Sequence, residues 1–169
     1  MAFLNTLFSL ENQVALVIGG TGELCSHMAK GLAQAGAEVA LIGRNREKAQ
    51  QRIEAIESVG GKAYFVSADI STKQSIEEAI DAVIARSGKV DILVNGAGIN
   101  SPTPVLEITT EEFHNILNVN LTATLHACQA FATYCLSNNQ HGSIINLGSI
   151  SGLNPLSRVF SYSASKAAV

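Results

Sequence analysis

Five short runs rich in β-branched residues, at 14–18, 39–42, 63–66, 92–94 and 144–147, alternate with longer segments in which apolar residues recur at helical spacing. A strand, a crossover helix and a second strand in the same direction form the unit that such alternation builds. The chain is therefore expected to be an α/β protein: one doubly wound parallel sheet of five strands with helices on both faces. The runs lack the polar–apolar alternation of half-exposed strands and are read as buried on both faces. Between them, Leu24, Met28, Leu32 and Ala35 form one apolar stripe, Ala49, Ile53 and Ile56 a second, and Ile76, Ile80, Val83 and Ile84 a third; each is expected to face the sheet. Leu121, Leu125, Cys128, Ala132 and Cys135 mark a longer helix ahead of the fifth strand. With no repeat, low-complexity tract or linker in view, residues 1–169 are read as one unit.

Composition limits what this unit can do. In 169 residues, 47% are hydrophobic and 15% charged, which suits a folded core and not a disordered segment. A formal net charge of −3 supplies no basic stripe for phosphodiester backbones, so no nucleic-acid partner is expected. No apolar run reaches the ~18–20 residues of a bilayer-spanning helix, and no membrane role is expected. Residues 1–10 contain no Lys or Arg, a poor fit to a secretory leader. Three cysteines without a C-x-x-C point to a reducing, cytoplasmic setting. Cys128 and Cys135 would lie ~10 Å apart along one helix, beyond disulfide reach. His27, His114, His126 and His141 have no zinc-ligand spacing, so no metal is assigned.

The first run leads straight into Gly19-Gly20-Thr21-Gly22 and then a helical segment. Glycines let the chain turn sharply and let a pyrophosphate approach backbone N–H groups at the positive end of a helix. An acidic residue that binds a ribose is expected ~20 residues further on, at the end of the second strand. The sequence there is Gly43-Arg44-Asn45-Arg46. A carboxylate would repel a 2′-phosphate and a guanidinium would bind it, so this ending favours NADP, with NAD as the alternative. Pro102 and Pro104 after the fourth run, and Pro155 after the fifth, place loops at the carboxyl edge of the sheet, where open α/β folds bind ligands.

Together these residues resemble the short-chain dehydrogenase/reductase family, from about Asn12 to the last residue. The family's T-G-x-x-x-G-x-G motif is degraded here: Ile18 stands for the Thr, Gly19 for the first Gly, Glu23 for the second and Cys25 for the third, with Gly20 and Gly22 alongside. The resemblance implies cofactor contacts from Gly19, Thr21, Gly22, Glu23, Leu24 and Arg44. It also implies an adenine contact from Asp69 with Ile70, and contacts from Asn95 and Ala97 in Asn95-Gly96-Ala97-Gly98, similar to the family's N-N-A-G. Asn95 is expected to stitch neighbouring strand ends together.

Tyr162 and Lys166, at i and i+4, fall on one helical face with Cβ atoms ~6 Å apart. A phenol of pKa ~10 is a poor base at neutral pH, and a neighbouring ammonium favours its phenolate. The resemblance implies four catalytic residues. Tyr162 is the acid/base and Lys166 its supporting cation; both are also implied as cofactor contacts, Lys166 by holding the nicotinamide ribose. Ser149, thirteen residues before Tyr162, polarises the substrate oxygen, and Asn120 supports a water relay. Ser151 fits the role of Ser149 less well by spacing.

The expected activity is NAD(P)-dependent interconversion of a secondary alcohol and a ketone. The alternatives are a non-catalytic nucleotide-binding remnant and, with less support because residue 43 is Gly, a methyltransferase on a similar sheet. By resemblance the protein is also expected to form a homodimer or homotetramer. Family members continue past the Tyr/Lys helix with two more strands, so the chain is expected to be incomplete, with its fifth strand as an exposed edge.

Overall fold

The computed structural model describes residues 7–169, so most of the opening stretch weighed above as a secretory leader lies outside the described residues. Five parallel strands form one sheet in the order β3-β2-β1-β4-β5. They are β1 (Val14–Ile18), β2 (Glu38–Gly43), β3 (Lys62–Ser67), β4 (Ile92–Asn95) and β5 (Ser143–Asn146). The helices are α1 (Glu23–Gln34), α2 (Arg46–Glu57), α3 (Lys73–Ser87), α4 (Thr110–Leu117), α5 (Ala123–Ser137) and α6 (Phe160–Ala168). Single 3-10 turns occupy Val105–Glu107 and Ile150–Gly152, and one turn of π-helix, Asn118–Thr122, joins α4 to α5.

The sheet is covered on both faces. On one side Leu16, Ile18, Ile42 and Leu93 pack with Ile76, Ile80 and Val83 of α3 and with Ala123, Ala127 and Phe131 of α5. On the other, Val17, Leu41 and Val94 pack with Cys25, Ala29 and Ala33 of α1 and Ile56 of α2. Burying a side chain the size of Phe131 contributes about 1.5–3 kcal/mol. The expected doubly wound sheet is thus present, and its register puts Ile18 level with Ile42 on one side and Asn95 on the other. Asn95 is in turn level with Asn146. The carboxyl ends of four strands therefore open at one height.

Two expectations need correction. β1 and β4 are buried along their whole length, but β3 is only partly buried and β5 is exposed throughout. Apolar composition identifies a strand without revealing whether a neighbour covers it; both of these strands are edges, as was also expected for β5. Leu24 does not face the sheet: it is 65% exposed, and the buried stripe of α1 runs through Cys25, Ala29 and Ala33. Small residues let the helix backbone close on the sheet, and the long leucine at its first turn is left at the ligand edge. Of the apolar residues that marked α5, only Cys135 is fully buried, and Leu125 is exposed. The three cysteines are free thiols. No helix among the described residues is long and apolar enough to cross a membrane.

Candidate active site

Three helices on this sheet start with a side-chain cap. Asn45 accepts from the Lys48 N–H, Thr72 from Ser75 and Thr109 from Glu112. Helix α1 starts on Gly22 with no side-chain cap, so its leading N–H groups have no acceptor from a side chain and none from within the helix. The turn before it depends on Gly19, whose φ of +80° suits glycine and whose added Cβ would lie 2.8 Å from the Ala97 backbone nitrogen. The end of β1 and the loop after β4 are therefore in backbone contact beneath an uncapped helix start.

Above this contact lies a cleft of about 610 Å³. Gly19, Thr21, Gly22, Glu23, Leu24, Arg44, Asp69, Ile70 and Ala97, all expected from the sequence, line it. Asn95 does not: it is buried below the floor, where its Nδ2 donates to Asn146 Oδ1 at 2.8 Å and ties β4 to β5. Asn115 and Val119 complete the far wall. Sequence reasoning missed both, because they come from α4 and the π turn and carry no motif. Glu23 is drawn to the side by Arg52 of α2, with Oε2 2.6 Å from the guanidinium. The backbone N–H and hydroxyl of Ser71 hold the Asp69 carboxyl below the usual carboxylate range, and Arg44 adds to this. A side chain at Gly43 would meet Thr21, whose Oγ1 is 3.1 Å from the Cβ position, so an acid at the end of β2 would require Thr21 to give way.

The cleft ends at Gly98 and Ile99, where the four candidate catalytic residues begin. A Cβ on Gly98 would lie 3.4 Å from Asn120 Oδ1 and 3.8 Å from Lys166 Nζ. Asn120, fully buried in the π turn, clamps Ile99: its Oδ1 accepts from the Ile99 N–H at 2.8 Å and its Nδ2 donates to the Ile99 carbonyl at 3.0 Å. The same Nδ2 donates to Ser165 Oγ at 2.9 Å. Lys166 is 9% exposed, donates to the Leu147 carbonyl at 2.7 Å, and has its ammonium 5.9 Å from the Tyr162 ring centroid. Burial pushes its pKa down, with partial opposition from Cys25. Burial pushes the Cys25 thiol up, against the pull of Lys166. Ser149 shares a 2.8 Å hydrogen bond with Ser151 Oγ. The turn that follows rests on α6 at Gly152, where a Cβ would come within 2.8 Å of the Lys166 carbonyl carbon. Asn120 and Lys166 thus meet beside Gly98 at one corner of the carboxyl edge, with Tyr162 one helical turn from Lys166 and Ser149 tied to Ser151 in the turn that rests on α6.

An open parallel sheet with an uncapped helix over a glycine turn, and a buried lysine one turn along from a tyrosine at the cleft's end, defines a nucleotide-binding α/β protein of the dehydrogenase kind. The chain belongs to the short-chain dehydrogenase family, whose family model matches residues 13–169. It is 35% identical over 176 residues to an uncharacterised oxidoreductase, UxuB, of Bacillus subtilis (strain 168), a match covering 95% of this chain and 63% of the relative. Among solved structures, NAD+-bound xylitol dehydrogenase superposes with a TM-score of 0.88 at 28% identity, covering 94% of this chain and 61% of that one. A metagenomic short-chain oxidoreductase in complex with NADP superposes with a TM-score of 0.87 at 32% identity, covering 94% of this chain and 72% of that one. The chain therefore spans less than two thirds of the length of the curated relative it matches.

Proposed function

We propose that the protein is an NAD(P)-dependent oxidoreductase that interconverts a secondary alcohol and a ketone, with Tyr162 as acid/base. The observation that carries this reading is continuity. A cleft floored by the Gly19 turn leads through Gly98 and Ile99 to the corner held by Asn120 and Lys166.

The residues present fit a dinucleotide. Its phosphates would lie against the uncapped start of α1 at Thr21 and Gly22, and its adenosine end among Arg44, Asp69 and Ile70. Such a group, when bound, would supply hydride-transfer chemistry at the substrate carbon. In reduction Tyr162 donates its phenolic proton to the carbonyl oxygen, so that oxygen does not build up full negative charge. Lys166 favours the phenolate through its charge, which lowers the cost of giving up that proton. Ser149 offers a hydroxyl to the same oxygen, and Asn120 keeps the loop at Ile99 in place.

For the cofactor, the missing acid at Gly43 and the guanidinium of Arg44 on the cleft wall favour NADP over NAD. The free thiols suit a cytoplasmic location. The exposed face of α5 around Leu125 and Leu136 suits assembly into a homodimer or homotetramer, with residues 1–169 acting as one nucleotide-binding unit.

The test is turnover of NADPH and NADH with simple ketones, followed by nicotinamide absorbance, in the wild type and Tyr162→Phe. Tyr162→Phe is expected to lose about 10²–10⁴-fold in turnover while still binding dinucleotide. Binding without turnover in the wild type would favour the remnant reading, and a clear preference for NADH would overturn the reading of Arg44.

A further inference from the structure

Three serines on α6 are buried: Ser161, Ser163 and Ser165. The hydroxyls of Ser161 and Ser163 have no hydrogen-bond partner among the described residues. That of Ser165, fully buried, is engaged on both sides. It accepts from Asn120 Nδ2 at 2.9 Å and donates to the Tyr162 carbonyl at 2.7 Å. Asn120 is itself locked to both the N–H and the carbonyl of Ile99. An unbroken chain of hydrogen bonds therefore runs from the loop that closes the cleft, through the π turn, to the backbone of the tyrosine.

We propose that Ser165 is a positioning residue: its hydroxyl sets the height and rotation of α6, and so where the Tyr162 phenol and the Lys166 ammonium stand relative to the cleft. The inference rests on the reading of Tyr162 as acid/base. Helix α6 needs such a device because it is nine residues long and starts on Val159 without a side-chain cap. Two polar ties from its last two turns hold it to the rest of the edge. Lys166 reaches the Leu147 carbonyl, and Ser165 reaches Asn120. The lysine tie is a flexible chain ending in a point charge, which fixes little about rotation. The serine tie is short and ends on a carboxamide that is already held at two other points. A serine that bonds only to a carbonyl three residues back is a common helix habit without consequence. The second bond, to a side chain on another element, is what makes Ser165 a clamp.

The consequence is specific to catalysis. Among the described residues, the cleft wall at Gly19, Thr21, Arg44, Asp69 and Ile70 takes nothing from α6, so a shift of this helix moves the phenol and ammonium and leaves the phosphate and adenosine end of the seat unchanged. The experiment compares Ser165→Ala, Ser165→Thr and Tyr162→Phe in the full chain, reading NADPH affinity by nicotinamide fluorescence, thermal stability, and kcat and KM with a simple ketone. Ser165→Ala is expected to keep NADPH affinity within about fivefold and to lose about 10- to 100-fold in kcat with little change in the KM for the ketone. Ser165→Thr keeps the hydroxyl and is expected to recover kcat. A Ser165→Ala enzyme with wild-type kcat overturns the proposal. So does one whose kcat, KM and NADPH affinity all worsen in step with its stability, or a Ser165→Thr enzyme that regains stability without regaining kcat, either of which is the mark of a purely structural serine. If Tyr162→Phe remains active, the acid/base reading fails and takes this inference with it. An inactive Tyr162→Phe beside an unaffected Ser165→Ala rejects the positioning role alone.

Discussion

At the start of α1 the chain meets a ligand with bare backbone, whereas at the end of β5 it fills the space with paired polar side chains. The α1 end has no cap, a glycine at positive φ, and a floor in which an added Cβ would collide with Ala97. The β5 corner has Asn120 and Ser165 fully buried, Ser151 2% and Lys166 9% exposed; Asn120, Ser165 and Lys166 are hydrogen-bonded across elements, and Ser151 to Ser149 within its own turn. The first region works by leaving atoms out, so added volume should harm it. The second works by polar geometry, so loss of a single donor or acceptor should harm it while its volume changes little.

Lys166→Met tests this contrast with the largest effect. Turnover is expected to fall by about a hundredfold or more as the phenol loses its supporting charge. Stability is expected to move the other way. Burial lowers the lysine's pKa in the folded state, so the unfolded chain binds that proton more tightly. The residue therefore subtracts stability at neutral pH, and the penalty fades as pH rises from the folded value towards the ordinary lysine range. A methionine removes the penalty, so thermal melts should show a variant more stable than wild type at neutral pH and level with it in strong alkali. A variant that melts lower at neutral pH would mean that the bond to Leu147 outweighs the burial.

Gly19→Ala tests the other region. A Cβ in that left-handed conformation, 2.8 Å from the Ala97 nitrogen, is expected to cost about 1–3 kcal/mol in denaturant unfolding. NADPH titration is expected to show affinity more than about tenfold weaker, because the turn and the helix start move together. The pH limb of whatever turnover remains should stay where it is. Unchanged affinity would mean that the ligand does not sit on this turn.

The two regions also differed in how far the sequence could be read. The glycine turn could be read because its meaning is local: a strand, three glycines and a helix in succession leave few other conformations. Tyr162 and Lys166 could be read for the same reason, as neighbours on one helix. Ser165 and Ile99 could not, since their roles exist only once a π turn 21 residues beyond the loop folds back on it. Leu24 shows the limit from another direction. Hydropathy ranks leucine above alanine and cysteine, but close helix–sheet approach selects small residues, so Cys25, Ala29 and Ala33 take the centre of the buried face, Met28 and Leu32 pack at its margin, and Leu24 falls outside it.

The smallest effect expected concerns Glu23, the one acidic side chain among the residues at the start of α1. Arg52 holds its carboxylate at 2.6 Å, and Glu23 itself is 75% exposed, so the pair contributes about 0–1 kcal/mol to stability. Its larger effect is on the ligand. Arg52→Ala frees a negative charge at the mouth of a site meant for phosphates. The expected cost is about 0.3–1 kcal/mol, or about 2–5-fold in NADPH affinity at low ionic strength. Salt should erase it, because the charge is exposed. Adding Glu23→Gln to Arg52→Ala should restore wild-type affinity, since the repelling group is then gone. If instead Arg52→Ala weakens binding equally at low and high salt, or the double variant stays weak, the arginine acts by packing α2 against α1. The charge of Glu23 would then be irrelevant to the cleft.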